Sequence, residues 1–124
     1  MADDEDFVDR LGVHGRTAED GTARLELVAT DEHLNQAGTV HGGVLATLCD
    51  TAMGSAVRST TGDSDVPATS QLTVTFLRPG KPGPLMATGR VSKSGDHLTV
   101  CEADVEQDGR TLVHAVATFA VLHR

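Results

Sequence analysis

The chemical potential of this chain is concentrated in Asn35-Gln-Ala-Gly38-Thr-Val-His41-Gly42-Gly43 and in an aspartate seven residues further on, Asp50. Backbone N–H groups at the start of a helix form a ready anion site, reinforced by the positive end of the helix dipole. Gly42 and Gly43 have no side chains to screen such amides, which is what an oxyanion hole requires. A glycine pair needed only for close packing would read the same way. Asp50 is the only charged residue between Val44 and Val57. Its neighbours one turn away, Ala46, Thr47, Met53 and Gly54, offer it no charge partner. Burying an unpaired carboxylate costs several kcal/mol, so an acid here is either chemically active or hydrogen-bonded across an interface. As an active group it can serve as general base toward water or attack a carbonyl directly.

Helix geometry constrains how these groups combine. Eight residues separate Gly42 from Asp50, so roughly 12 Å lies between them along a helix rising 1.5 Å per residue. The aspartate side chain leans toward the N-terminus and recovers only part of that gap. One carbonyl cannot touch both groups of one chain. If both act on one substrate, two copies must meet with antiparallel helices and form two sites across a two-fold axis. A homodimer is therefore the minimum assembly.

The remaining polar candidates are weaker. His41, alone at a helix start, fits capping and orientation better than proton transfer. Asn35 can hold a substrate carbonyl, a catalytic water or only its own loop. Ser70 shares strand parity with Leu72, Val74 and Phe76, which points it toward the helix and near Asp50. His14, His33, His97, His114 and His123 have no metal-ligand spacing, so no metal or other cofactor is expected. There is no G-x-S-x-G elbow, P-loop, G-x-G-x-x-G or C-x-x-C.

The elements that must position these residues read as α+β. A short helix is expected from Phe7 to Val13. A strand from Thr22 to Thr30 alternates Ala23, Leu25 and Leu27 with Arg24, Glu26 and Val28. Asp31 to Gly38 is a polar loop. Val40 to Ser59 carries the strongest helix signal, with Val44, Leu45, Leu48, Ala52 and Ala56 at helical spacing. Gly54 weakens its interior by about 1 kcal/mol, which suggests close packing. Four strand-like runs follow: Ala68–Leu77, Leu85–Ser92, Leu98–Val105 and Thr111–Leu122. Read in order they form a meander, with turns at Ser94-Gly95-Asp96 and Asp108-Gly109. Five strands curled around one nearly charge-free helix would cover it on most sides.

Length and composition exclude several classes. The 124 residues suit one domain. Eighteen acidic residues against ten basic ones, net −8, with no basic stripe, argue against nucleic acid. The acid-rich start, residues 1–6, reads as a disordered, solvated tail, which a halophilic host or simply an acidic proteome would explain. It has neither a basic region nor an apolar run, so no secretory leader is read there. No run approaches the ~20 apolar residues of a membrane span. Cys49 and Cys101 lie in apolar patterns and read as reduced core thiols of a cytoplasmic protein.

Asn35-x-x-Gly38-x-x-His41-Gly42-Gly43 with Asp50 resembles the hotdog-fold acyl-CoA thioesterases, in the subgroup of the phenylacetate-pathway enzyme. Ser70-Gln-Leu-Thr-Val-Thr-Phe-Leu-Arg-Pro79 resembles the strand that follows the helix in that family, and Lys93-Ser94-Gly95 falls where its members turn between strands. The resemblance covers about residues 7–122. It implies a curved antiparallel sheet wrapped around one central helix, dimers with sheets joined edge to edge, and tetramers built from two dimers. It gives Asp50 the role of catalytic base or nucleophile, and Gly42 that of the amide polarising the thioester carbonyl. Asn35 and His41 fall on the same partner chain as that amide, with Gly43 beside it. Ser70 helps place the water or the acid, and Lys93, Ser94 and Gly95 meet coenzyme A. The implied reaction is hydrolysis of an acyl-CoA to a carboxylate and coenzyme A. The alternative is a non-catalytic hotdog protein that binds acyl-CoA or acyl carriers. With only three aromatics, Phe7, Phe76 and Phe119, an acyl pocket built on stacking is not expected, and Met53 or leucines would line it instead.

Overall fold

A computed structural model describes residues 5–122. Helix α1 spans Phe7–Leu11, α2 spans Gly42–Arg58, and six strands make one antiparallel sheet: β1 His14–Glu19, β2 Thr22–Ala29, β3 Val66–Phe76, β4 Gly83–Ser94, β5 Leu98–Gln107 and β6 Arg110–Leu122. The strand order is β1-β2-β4-β5-β6-β3. This is the expected curved sheet around one central helix, with two departures. The first is β1, a strand absent from the sequence reading. The second is the place of β3, which leaves the meander and pairs with β6 at the far edge, Val74 opposite Ala115. Only β4, β5 and β6 run as a meander. Moving β3 to that edge lets β2 pair with β4, Leu25 opposite Ala87.

Local chemistry explains the elements. Asp6 is not part of a loose tail: it caps α1, accepting from the Asp9 amide at 2.9 Å, while its own amide donates to the Asp9 carboxylate. The Asp9 amide holds the Asp6 carboxyl below the usual aspartate range. The Glu5 carbonyl accepts from the Arg10 guanidinium at 2.6 Å, and residues 1–4 of the expected tail lie outside the described residues. The β1–β2 and β5–β6 hairpins each turn on Asp-Gly, with positive φ at Asp20 and Gly21 and again at Asp108 and Gly109. Two left-handed residues in succession suit the twist of a tight hairpin.

The inner face of the sheet and the buried face of α2 form the core. Leu45, Leu48, Cys49, Ala52, Met53, Ala56 and Val57 are its helical contribution, and each large side chain among them contributes roughly 1.5–3 kcal/mol. Both cysteines are free and buried. Burial pushes their thiols up, to about 12 for Cys49 and about 11 for Cys101. No helix among the described residues is long and apolar enough to cross a membrane.

Glycines set the distance between helix and sheet. A Cβ on Gly54 would lie 3.5 Å from the Phe119 ring, an ordinary contact. Gly54→Ala should therefore stabilise the protein by up to about 1 kcal/mol through helix propensity, a gain that chemical denaturation will read. Loss of stability would show that this helix face needs the bare glycine.

Candidate active site

The loop that leads into α2 is pinned by a buried histidine. His33 Nδ1 accepts from the Thr30 amide at 2.9 Å, which leaves Nε2 to donate to the Leu11 carbonyl at 2.8 Å. The His33 carbonyl in turn accepts from the His41 amide at 2.8 Å. Asn35 is spent on its own loop: its carbonyl oxygen accepts from the Ala37 and Thr39 amides, and its amide donates to the Thr39 hydroxyl. Of the three roles open to Asn35, loop organisation is the one present in the isolated chain.

His41 caps α2, with Nδ1 accepting from the Gly43 amide at 2.8 Å. This matches the capping reading and narrows the oxyanion reading. The Gly43 N–H is committed, so Gly42 keeps the open amide: its N–H has no hydrogen-bond partner among the described residues. Gly42 opens into a cleft of about 300 Å³, lined also by Asn35, Thr39, Leu45, Phe76 and Pro79. Phe76 is half exposed, and its ring would lie 3.3 Å from a Cβ placed on Gly42. The sequence reading gave this aromatic no role. Its signal was available, since inward parity at the end of β3 aims the ring at the start of α2.

Asp50 lies two turns further along the unbroken helix, outside the residues that line that cleft. It is half-buried, and its Oδ1 accepts from the Thr69 hydroxyl at 2.6 Å. No ion pair reaches it among the described residues. Strict alternation along β3 predicts Ser70 near this carboxylate. A bulge between Thr69 and Gln71 leaves Ser70 unpaired and reverses the parity. Thr69 and Ser70 are both exposed, but it is Thr69, opposite Phe119, whose hydroxyl reaches Asp50. A bulge of this kind re-aims side chains, and strict alternation could not reveal it. Met53, expected as an acyl-pocket residue, is fully buried in the core.

Lys93 and Ser94 end β4 beyond a second bulge, and Gly95 closes the turn, its amide donating to the Leu98 carbonyl at 2.8 Å. These three do not line the Gly42 cleft. Within one chain the structure thus gathers Asn35, His41, Gly42 and Gly43, and holds Asp50, Ser70 and Lys93–Gly95 apart from them.

The sequence profile of the Thioesterase superfamily matches residues 37–114, which include Gly42, Asp50 and Thr69. The chain belongs to this superfamily. A Halobacterium salinarum protein described as a candidate esterase is 39% identical over 108 residues, 83% of this chain and 71% of that protein. Acyl-coenzyme A thioesterase 13 of Pongo abelii is 32% identical over 91 residues, 72% of this chain and 64% of that protein. A Ralstonia eutropha structure, described as a candidate thioesterase and phenylacetic acid degradation-related protein, is 30% identical with TM-score 0.84, covering 91% of this chain and 87% of that one. With the fold, these relationships make the protein a thioester hydrolase of the hotdog type, in keeping with the phenylacetate-pathway resemblance.

Proposed function

We propose that the protein hydrolyses acyl-CoA thioesters to a carboxylate and free coenzyme A, in sites shared between two chains. The observation that carries this reading is Asp50: half-buried, without a cation partner among the described residues, and held by the Thr69 hydroxyl at 2.6 Å. One hydrogen bond fixes the orientation of one carboxylate oxygen. The other remains available to take a proton from water, or either can attack the carbonyl carbon. The carbonyl oxygen is polarised by the partner subunit's Gly42, whose amide is the unpaired donor of the helix start.

The split follows from rigidity, because α2 runs without a break from Gly42 to Arg58. The sheet also ends on β3, an 11-residue edge strand that carries Thr69. Open strand edges template pairing with another chain, and pairing there would bring a second copy beside Asp50. A dimer, and a tetramer of two such dimers, is the assembly in which the reaction proceeds. Lys93, Ser94 and Gly95 remain a proposed contact for coenzyme A. The role the resemblance gives Ser70 passes to Thr69, and the ring of Phe76 bounds the thioester cleft.

Thiol release from a panel of short, medium and aryl acyl-CoAs tests the reaction. Ligand-induced stabilisation without thiol release from any of them would instead make this a binding protein. Thr69→Val should lower kcat by roughly tenfold or more, since hydrogen bonds to charged groups contribute about 1.5–3 kcal/mol. Ser70→Ala should cost less than Thr69→Val. The reverse order would return the positioning role to Ser70.

A further inference from the structure

The loop before α2 has few polar supports. Apart from its entry into the helix, segment 35–41 reaches the rest of the described chain by two backbone hydrogen bonds. The Val40 amide donates to the Gly80 carbonyl at 2.9 Å, and the His41 amide to the His33 carbonyl at 2.8 Å. The bonds from Asn35 to Ala37 and Thr39 are internal, and nothing lies within 4 Å of a Cβ placed on Gly38. Val40 is also held by its side chain, which is buried in the core. His41 is exposed, so its bond to His33 is what ties it to the fold outside α2. The Gly42 amide follows directly, and its direction depends on where the His33 carbonyl stands.

His33 is the only buried histidine among the described residues. Both ring nitrogens are spent on backbone: Nδ1 accepts from the Thr30 amide in its own turn, and Nε2 donates to the Leu11 carbonyl. These partners assign the neutral tautomer with its proton on Nε2, which has one acceptor and one donor and here uses both. The Leu11 carbonyl is one of the last of α1, which the helix itself leaves unpaired. Helix α1 buries none of its own residues, yet its end is a fixed point. Gly12 turns the chain there at a φ of 107°, where a Cβ would lie 3.2 Å from the Leu27 side chain. Val13, the next residue, packs against the core. The His33 ring thus bridges the anchored end of α1 and the turn that carries the His33 carbonyl.

We propose that His33 is a positioning residue for the reaction, a strut from the end of α1 that holds the Gly42 amide in place through His41. The inference rests on the acyl-CoA reading above, in which that amide polarises the thioester carbonyl in the site shared with the partner chain. An oxyanion donor is effective only when it is already aimed before charge develops. Displacing a reacting group by about 1 Å can cost on the order of 10²-fold in rate. His33 itself touches no substrate. Its ring orients its own backbone, its carbonyl holds the His41 amide, and His41 caps the helix so that Gly42 keeps the open N–H. Loss of the strut removes stabilisation that belongs to the transition state, so the defect falls on kcat and spares KM.

Two variants of the full chain test the strut from its two ends. His33→Asn keeps an oxygen that can accept from the Thr30 amide and loses the bond to Leu11. Gly12→Ala leaves His33 intact and shifts the Leu11 carbonyl, because alanine is strained at a φ of 107°. In each, kcat for an acyl-CoA should fall about three- to tenfold, with KM within about twofold of wild type. Residue-resolved amide hydrogen exchange supplies the second readout. The His41 amide should exchange about tenfold faster, while the Val40 amide, held by Gly80 and the core, stays near its wild-type rate. Equal acceleration at both amides is general loosening and would overturn the strut. Unchanged exchange at His41 in both variants would overturn it too, and with thiol release intact it leaves the acyl-CoA reading standing. Faster exchange at His41 alone, with wild-type kcat or with no thiol release from the wild type, supports His33 as the support of this amide. That same result defeats the reading that a thioester uses the amide.

Discussion

Replacing Asp50 by asparagine should lower kcat for every responsive acyl-CoA by about 10²–10⁴-fold, the range that a positioned general acid or base contributes. Asparagine keeps the shape of the side chain and an oxygen that can accept from the Thr69 hydroxyl, so the fold and the local contact are retained. What it loses is the negative charge, and with it both basicity and nucleophilicity. The defect should therefore appear in kcat more than in KM, because the interaction removed belongs to the transition state. Steady-state thiol release, checked against unchanged thermal unfolding, measures it. Wild-type rates in the asparagine variant would remove Asp50 from the reaction altogether.

Gly89→Ala should be the most damaging single methyl group in the molecule. Gly89 is buried on β4, and a Cβ there would stand 2.5 Å from the Ala52 carbonyl carbon, 2.6 Å from its oxygen and 2.7 Å from the Met53 nitrogen. These are backbone atoms of α2, with no flexible side chain to swing aside. Relief requires the helix to move off the sheet, which loosens the layer formed by Ala52, Met53, Ala87 and Ala103. Overpacking costs about 1–3 kcal/mol and occasionally more, and contact with main chain belongs at the upper end. The melting temperature should fall by on the order of 10 °C. Activity should fall as well, since α2 carries both Gly42 and Asp50. A melting temperature within a degree or two of wild type would mean that the helix can withdraw without loss.

Much of the frame was legible because its hydrophobic periodicity is strong. The helix read as Val40–Ser59 is Gly42–Arg58, and the strand read as Thr22–Thr30 is Thr22–Ala29, buried at every second residue. The Asp-Gly turns were plain from residue type. Strand β1 was hidden because His14–Glu19 is exposed along its whole length, so no face of it carries an apolar signal. The pairing of β3 with β6 was hidden for another reason. Alternation identifies a strand but is silent on which edge it joins.

The site divides the same way. Gly42 and Asp50 stand out as candidates from spacing and charge isolation. Thr69 was masked by a one-residue bulge, and the Gly43 amide was lost to a histidine cap. The place of Phe76 beside Gly42 came from topology, because β3 ends where α2 begins.

A shared site has a direct test in mixed dimers. Asp50→Asn chains keep Gly42, and Gly42→Val chains keep Asp50 while a bulkier side chain fills the space beside Phe76. Each variant alone should be nearly inactive. Co-expressed in equal amounts, half of the dimers are mixed, and each of those has one intact site of two. The preparation should recover about a quarter of wild-type specific activity. Activity no higher than that of either parent would place Gly42 and Asp50 in one chain's site, and would contradict the shared one.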